Sequence, residues 1–335
     1  MPSVLLQGFI APSYVDTLRP LLPADWSILS WDSRTEDKAA FAPLAEQADA
    51  IVGGNIPGPA WPATPKLKIF QIPWTGYNFT DPTRMPAGVP VCNCFEHEST
   101  IAEYVLLGML EWQIGMRHMD ARFRASGWGG SMPGNGRRHG EVKGKTVGII
   151  GYGHIGEEVA RRANAFGMNV IGIRRSVKPT PPELQWLGTT EALDDLLAQS
   201  DFIVLACDLN DDTRDLINAE RLAKMKPEAV IINVARGEVI DEAALYEALK
   251  NKRIGGAIID TWYNYNAIGK PEVWPCNQDF QALDNTILTA HESAATLGQV
   301  ERRWQFVADN IQRAVAGEAV LNQVMTGTAQ AGVPW

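Results

Sequence analysis

Residues 146–176 read TVGIIGYGHIGEEVARRANAFGMNVIGIRRS. The apolar run 146–151 is typical of a buried strand, and residues 154–167 show the spacing of an amphipathic helix. A second apolar run follows at 168–174. The stretch therefore predicts a strand, a helix and a second strand in immediate succession.

The turn between the first strand and the helix is rich in glycine. Gly151, Gly153 and Gly156 have the spacing G-x-G-x-x-G. Such glycines allow a tight turn and a close approach of the backbone to a pyrophosphate, whose charge the helix N-terminus favours. The motif alone is weak, but a strand before it and a helix after it are the context that supports it. We therefore predict a dinucleotide-binding domain; a purely structural turn is the alternative.

The alternation of strands and helices continues along the chain. Further apolar runs lie at 201–207, 228–235, 254–260 and 285–291. Helical segments such as 241–252 separate most of them. Continuously apolar strands alternating with helices indicate a parallel sheet that is covered on both faces. We predict an α/β fold with a doubly wound, Rossmann-type sheet over residues 99–292.

The two ends of the chain have a different pattern. Residues 1–98 contain their own apolar runs and more proline, and a capping box at Thr100 and Glu103 predicts a helix start near Thr100. Residues 302–317 predict an amphipathic helix that ends at Gly317, with one apolar face: Trp304, Val307, Ile311 and Ala314. A helix this late in the chain can fold back onto the first domain. We predict a smaller, flavodoxin-like substrate-binding domain from residues 1–98 plus 293–335.

Composition limits the choice of function. The net charge of −9 argues against a nucleic-acid partner. The chain has no apolar run of about 18 residues, the length that a membrane-spanning helix needs. No zinc-type spacing occurs among its four cysteines, which are Cys92, Cys94, Cys207 and Cys276. We expect a reduced cytoplasmic protein without a metal site.

Two arginines end the second strand of the opening stretch. Arg174 follows Gly156 by 18 residues, where NAD-dependent enzymes place an acidic residue for the ribose hydroxyls. Guanidinium groups instead bind a 2′-phosphate through charge-assisted hydrogen bonds, and Arg175 and Ser176 add donors. We predict that NADP(H) is preferred and that NAD(H) is possible, with a local cationic patch for one phosphate. An ordinary exposed arginine pair is the alternative.

Arg236 and His291 each follow an apolar run that predicts a strand. The carboxyl ends of strands form the binding crevice of an open α/β sheet. A permanent cation there suits an anionic substrate, and a histidine suits proton transfer. A structural salt bridge for Arg236 and an ordinary core or surface position for His291 remain open at this point.

Together these segments resemble the D-2-hydroxyacid dehydrogenase family, which includes phosphoglycerate, glyoxylate/hydroxypyruvate and phosphite dehydrogenases. The resemblance extends from about residue 98 to 317 and rests on GIIGYGHIG, INVARGEVIDEAAL, GGAIID and the histidine of ILTAHES. It implies reduction of a small anionic 2-keto acid to a D-2-hydroxy acid, an interdomain cleft and a homodimer built on the cofactor domain. It further implies that Arg236 binds the substrate carboxylate and carbonyl and that His291 is the general acid.

The resemblance also implies two sets of binding residues. The substrate carboxylate is expected to meet backbone amides around Gly54, Asn55, Thr75 and Gly76, and Asp260 is expected to hold the nicotinamide carboxamide. The other expected cofactor-binding residues are Gly151, Gly153, His154, Ile155, Gly156, Arg174, Arg175, Ser176, Cys207 and Ala235.

One position departs from the family. The third catalytic residue of the family is a glutamate five positions after the aspartate, and this chain has Tyr265 there. A phenol is neutral at pH 7, so it cannot raise the pKa of His291 as a carboxylate does, although its hydroxyl can orient the ring. Tyr265 therefore joins Arg236 and His291 as a candidate catalytic residue. Glu292 and Glu272 are the alternative carboxylates.

Two rival functions remain open. The first is oxidation of another small oxyanion, as in formate and phosphite dehydrogenases, although the formate enzymes have glutamine where this chain has Tyr265. The second is a non-catalytic, nucleotide-sensing protein like the C-terminal binding protein corepressors. Turnover of NADPH with a panel of keto acids discriminates between keto-acid reduction and these two rival functions. The substrate itself is not identified by the sequence.

Overall fold

The computed structural model describes residues 1–77, 80–129, 138–267, 270 and 272–334. The chain forms two compact units, of which one comprises Met1–His97 with Thr296–Trp335 and the other Glu98–Ala295. We predicted that the chain passes from one domain to the other after residues 98 and 292. The assignment of the substrate to one unit and of the dinucleotide to the other stays a prediction.

The strands of the described residues are β1 Ser3–Gly8, β2 Ser27–Asp32, β3 Ala50–Val52, β4 Ile69–Gln71, β5 Pro90–Cys92, β6 Thr146–Ile150, β7 Asn169–Ile173, β8 Trp186–Gly188, β9 Phe202–Leu205, β10 Val230–Asn233, β11 Gly256–Ile259, β12 Thr286–Leu288 and β13 Gln323–Thr326. The helices are α1 Val15–Leu18, α2 Phe41–Gln47, α3 Glu98–Ile114, α4 Met116–Ser126, α5 His154–Ala165, α6 Leu193–Gln199, α7 Ala219–Leu222, α8 Glu242–Lys250 and α9 Leu297–Ala316.

The second unit is built on a parallel sheet. Its seven strands among the described residues have the order β12-β11-β10-β9-β6-β7-β8, and each neighbouring pair is parallel. The chain reverses its direction of winding between β6 and β9, and the carboxyl ends of strands at such a switch point form the binding edge of doubly wound folds. Buried apolar clusters cover both faces of this sheet. The predicted Rossmann-type fold is confirmed.

The first unit has a smaller sheet. Within the described residues its order is β13-β5-β4-β3-β1-β2, with β13 antiparallel at one edge. The order β2-β1-β3-β4-β5 is that of flavodoxin-like folds. Helix α9 packs its predicted apolar face against the same core as β1 and β3, and it ends at Gly317 in a left-handed conformation. The predicted helix is therefore confirmed, and the C-terminal segment folds back onto the N-terminal strands.

Two local expectations were wrong. Helix α3 begins at Glu98, so Thr100 is its third residue and is buried rather than capping the helix. The capping-box interpretation failed because burial of the first turn sets the helix start here. Strand β2 was not expected, since only Trp31 of its residues is fully buried and the strand lacks a long apolar run.

No helix of the described residues combines the length and the apolar character that a membrane crossing requires.

Candidate active site

The glycine loop lies between β6 and α5. Gly151 has a φ of +95°, and a Cβ there would lie 2.5 Å from the backbone nitrogen of Cys207, so only glycine fits. Gly153 precedes α5 and faces open space, and the first turn of this helix has no side-chain cap. His154 and Ile155 begin the helix, and their backbone lies at its positive end. The open space at Gly153 and the uncapped helix N-terminus suit the pyrophosphate of a dinucleotide, and we call this loop the dinucleotide cradle.

The two arginines at the end of β7 have different neighbours. Arg174 is half-buried, and its Nε atom is buried without a hydrogen-bond partner among the described residues. It lines a cavity of about 360 Å³ together with Tyr152, Glu157, Glu158, Arg161, Lys178, Pro179, Pro181, Glu183 and Leu187. Arg175 is exposed and lies 3.8 Å from the carboxylate of Asp208. Ser176 is exposed.

The expected cationic patch for one phosphate stays a prediction, and the structure adds carboxylates to its surroundings. Glu157, Glu158 and Glu183 line the cavity beside Arg174, and Asp208 is the carboxylate near Arg175. The exposed pair of Arg175 and Asp208 is weak and separates at little cost. The unpartnered Nε of Arg174 still offers a donor to an anion.

Two of the expected cofactor residues lie just after the carboxyl ends of β9 and β10. Cys207 is partly exposed, and burial of its thiol raises its pKa to about 12, so the group is a neutral wall of the site and not a nucleophile. Ala235 is buried, and its backbone N–H donates to the side chain of Asn233 at 3.0 Å. The same asparagine donates to the carbonyl of Arg236 at 2.9 Å. Asn233 thus fixes the turn that follows β10.

Arg236 is presented by that turn. It is half-buried, and its Nη1 donates to the carbonyl of Ala235 at 2.7 Å. No carboxylate of the described residues lies within ion-pair distance of its guanidinium, so the alternative of a structural salt bridge is not observed there. A Cβ on Gly237 would lie 2.4 Å from the backbone of Trp262. Glycine at this position therefore lets the arginine turn approach the segment after β11.

Tyr265 and His291 meet at the ends of β11 and β12. The phenolic oxygen lies 2.8 Å from Nδ1 of the imidazole, and the two rings pack edge to face with centroids 5.5 Å apart. The hydroxyl of Tyr265 also accepts the backbone N–H of Trp262 at 3.4 Å. Nε2 of His291 has no hydrogen-bond partner among the described residues. Tyr265 thus bonds one ring nitrogen and leaves the other for a ligand.

Burial works against protonation of His291, and the two nearby charges act in opposite directions. Burial lowers its pKa; the carboxylate of Asp260 raises it, and the guanidinium of Arg236 lowers it further. Burial also raises the pKa of Tyr265, although the N–H of Trp262 and the charge of Arg236 oppose that rise. The alternative carboxylates do not hydrogen-bond the ring: Glu292 contributes its backbone N–H to Asp260.

Asp260 makes several hydrogen bonds within the chain. Its fully buried carboxylate accepts the Thr289 hydroxyl at 2.6 Å, the Glu292 N–H at 2.8 Å and the Ser293 N–H at 3.0 Å. These three bonds bracket His291, whose φ is +58°, a strained value for a non-glycine residue. Asp260 therefore anchors the histidine loop, and its role toward a carboxamide stays a prediction.

Thr289 and Tyr104 support the loop of His291 and were missed by the sequence analysis. The hydroxyl of Tyr104 lies 2.7 Å from that of Thr289, and the indole N–H of Trp262 donates to the Thr289 carbonyl at 2.7 Å. Thr289 lies two residues before His291, so its closeness in sequence to the candidate histidine was a signal for a supporting role. Tyr104 lies 185 residues away and offered none.

The expected carboxylate-binding residues of the first unit follow β3 and β4. Gly54 accepts the side-chain amide of Gln7 at 2.7 Å, and Asn55 is exposed. The Thr75 hydroxyl donates to the Cys94 carbonyl at 2.8 Å, and Gly76 follows it, half-buried. Because β3 and β4 are parallel neighbours, both pairs lie at the same edge of this sheet. Their binding of a substrate stays a prediction.

Comparison with known proteins agrees with this geometry. Residues 106–293 match the family described as D-isomer specific 2-hydroxyacid dehydrogenase, NAD binding domain. A glyoxylate reductase of Thermococcus kodakarensis is 42% identical over 171 residues, which cover 51% of this chain and 49% of that protein. The match thus spans about half the length of this curated relative.

Solved structures share the whole fold. The 2-hydroxyacid dehydrogenase of Ketogulonicigenium vulgare Y25 has a TM-score of 0.77 at 23% identity, over 98% of this chain and 99% of that one. A D-isomer specific 2-hydroxyacid dehydrogenase of Xanthobacter autotrophicus Py2, in complex with NADPH and MES, has a TM-score of 0.74 at 25% identity, over 97% and 98%. The chain therefore belongs to the D-isomer specific 2-hydroxyacid dehydrogenase family.

Proposed function

We propose that this protein reduces a small 2-keto acid to the D-2-hydroxy acid, with NADP(H) as preferred cofactor and NAD(H) as a possible one. The proposal rests on the hydrogen bonds and ion pairs of two side chains at one edge of the sheet. Arg236 makes no ion pair with a described residue, and His291 keeps Nε2 without a described partner while Nδ1 is bonded. A cation and a proton donor next to a dinucleotide cradle suit an anionic carbonyl substrate.

Each residue of the site has a separate role in the proposed reaction. When bound, the nicotinamide supplies a hydride to the keto carbon. The Arg236 guanidinium binds the carboxylate and polarises the carbonyl through its planar fork. His291 holds a proton at Nε2 and passes it to the carbonyl oxygen. Backbone amides at Gly54–Asn55 and Thr75–Gly76 are proposed to bind the carboxylate as well.

The preference for NADP(H) rests on the end of β7. No acidic residue stands where NAD-dependent enzymes bind the ribose hydroxyls, and the buried Nε of Arg174 lacks a partner among the described residues. Arg175 and Ser176 follow directly. A structural neighbour of 25% identity was solved with NADPH.

We also propose a homodimer in a reducing compartment such as the cytoplasm. Helix α4 buries none of its residues and exposes Phe123, which packs against the exposed Trp128. Apolar side chains left on a short helix favour a partner, and a second copy is the one that the family resemblance implies. The four cysteines are free thiols, as is usual in a reducing compartment.

The test is turnover of glyoxylate, hydroxypyruvate, pyruvate and phenylpyruvate with NADPH and with NADH. We expect at least one keto acid to be reduced, a higher kcat/KM with NADPH, and a product of D configuration by chiral chromatography. Folded protein that binds NADPH but turns over no keto acid would contradict the proposed reaction. A higher kcat/KM with NADH would contradict the cofactor preference alone.

A further inference from the structure

The hydrogen bond between Tyr265 and His291 can form in either direction, because a phenolic hydroxyl and a ring nitrogen of neutral imidazole can each donate or accept. A phenolic hydroxyl has one proton to donate and lone pairs to accept. The Trp262 N–H already points to the Tyr265 oxygen at 3.4 Å, so a lone pair of that oxygen is used there. The hydroxyl proton is then available for Nδ1 of the imidazole, 2.8 Å away. A neutral His291 in this arrangement accepts at Nδ1 and carries its own proton on Nε2.

We infer that Tyr265 is a positioning residue that keeps neutral His291 in the Nε2–H form and returns a proton to Nδ1 as Nε2 releases one to the substrate. The inference rests on the proposed reduction for its catalytic part. The tautomer is part of the inference, and its test does not depend on turnover.

The proton transfers balance as follows. The keto carbon gains a hydride from the nicotinamide cofactor, and its oxygen takes the proton from Nε2. The O–H bond of Tyr265 breaks while an N–H bond forms at Nδ1, so His291 stays neutral. Nδ1 then returns its proton to the phenolate while Nε2 takes a proton from water, so that the starting tautomer and the neutral tyrosine are restored. Transfer from a phenol to a substrate alkoxide is downhill, since an alkoxide is much the stronger base.

Burial of the ring favours this route over an imidazolium. The groups that act on the pair are Arg236, Asp260 and Glu238. Burial and Arg236 lower the pKa of His291 and Asp260 opposes them, and the net effect disfavours the imidazolium. The same guanidinium stabilises a transient phenolate on Tyr265, as its effect on the tyrosine pKa shows. In the family, the negative charge of a glutamate at this position would instead stabilise the imidazolium form of the histidine.

The first experiment reads the tautomer without any turnover. The chain has five histidines, so ¹⁵N-histidine labelling gives a tractable spectrum, and His291→Asn assigns the signals. At pH 8 we expect His291 to show a protonated Nε2 and an unprotonated Nδ1. Tyr265→Phe should convert this state to a mixture of tautomers. A wild-type His291 protonated at Nδ1 would overturn the inference whether or not the protein reduces keto acids.

The second experiment is the pH dependence of kcat/KM for reduction in wild type and Tyr265→Phe. In the phenylalanine variant the only acid is the imidazolium, which is present below the lowered pKa of His291 and lost above it. Its rate should therefore fall about tenfold per pH unit above that pKa. Wild type should stay nearly flat across the same range. Parallel profiles, with a constant ratio at every pH, would show a merely structural role and overturn the relay.

Two further variants complete this test. Tyr246→Phe removes the same hydroxyl from a tyrosine that packs against Phe280 in the core, and it should leave the pH profile unchanged. Tyr265→Glu introduces the carboxylate of the family, which favours the imidazolium and raises the pKa of His291 by about one unit or more. Its falling limb should lie at higher pH than that of Tyr265→Phe. Coincident limbs in these two variants would mean that position 265 does not act on the imidazole.

Discussion

Arg236 is held in place by its backbone rather than by an acidic partner. Asn233 fixes the turn around it, and the guanidinium bonds only the Ala235 carbonyl among the described groups. Arg236→Lys keeps the charge but loses the planar fork, so it should misplace the substrate carboxylate. We expect kcat/KM for keto-acid reduction to fall about a hundredfold or more, with little change in the Kd of NADPH.

The matched control is Arg253→Lys, at an exposed position of the same unit. It should leave both quantities unchanged. If Arg236→Lys turns over substrate like wild type, the arginine has a structural role only.

Arg174 is the residue that should decide between the two cofactors. Removing a charge-assisted hydrogen bond, worth roughly 1.5–3 kcal/mol, from a 2′-phosphate lowers efficiency about ten- to a hundredfold. We expect Arg174→Ala to cause this loss in kcat/KM for NADPH and a much smaller one for NADH. Equal losses with both cofactors would mean that the side chain supports the cavity wall and not the phosphate.

At the scale of the elements, the approach of the loop after β10 to the segment after β11 depends on Gly237. Its missing Cβ leaves room for the Trp262 backbone, and the contact sets Arg236 near the tyrosine turn. Gly237→Ala must push the two segments apart, because both sides of the contact are backbone. We expect kcat/KM to fall about tenfold or more while cofactor binding persists, since misplacement by a fraction of an ångström is costly in an active site.

Gly298→Ala provides the matched comparison for this change. A Cβ there meets only the end of the Arg302 side chain, at 3.3 Å, and lies in helix α9. This variant should keep full activity and an unchanged Tm. Full activity in Gly237→Ala would show that the loop relaxes without moving Arg236.

Helix α9 is fastened to the first sheet by a buried amide. Asn310 is fully buried, donates to Gln71 at 2.7 Å and to the Leu321 carbonyl at 3.1 Å, and accepts the Leu321 N–H at 2.7 Å. Asn310→Ala leaves these groups without partners, so we expect a loss of about 1–3 kcal/mol in the free energy of unfolding, measured with urea. The exposed neighbour variant Asp309→Ala should change it by less than about 0.5 kcal/mol.

The elements also show how far the sequence could predict this molecule. Strands such as β6 and β10 are continuous apolar runs, and a buried parallel strand requires such a run, so they could be recognised. Strand β2 is half-exposed, and helix α3 begins where tertiary packing places it, so neither boundary was visible locally. The site behaves in the same way: the arginine and histidine follow apolar strands, whereas their supports come from distant segments.

Asp260 illustrates that limit. Its position in the chain suggested a ligand for the cofactor, and its three hydrogen bonds to residues 289–293 appear only once β11 and β12 are paired. The bond from Tyr265 to His291 likewise joins residues 26 apart. A substitution against the family pattern could be seen in the sequence, but the hydrogen bond that the new side chain makes with His291 required the structure.

At the scale of the whole molecule, helix α4 exposes apolar side chains that we expect a second copy to cover. An isolated helix of 11 residues is marginal in water, and α4 buries none of its side chains within the chain. Its exposed apolar residues are Met116 and Phe123, and the exposed Trp128 packs against Phe123. Covering such side chains with a second copy removes apolar surface from water and orders the helix.

We therefore expect wild type to sediment as a dimer, and the double variant Phe123→Glu, Trp128→Glu to sediment as a monomer at the same concentration. Two charges on each copy would have to be buried without partners at the interface, which is costly. Phe166→Glu is the control, because Phe166 is exposed at the end of α5, away from α4 in the chain; it should stay dimeric. A monomeric wild type would contradict the homodimer, and a double variant that remains dimeric would place the interface on another surface.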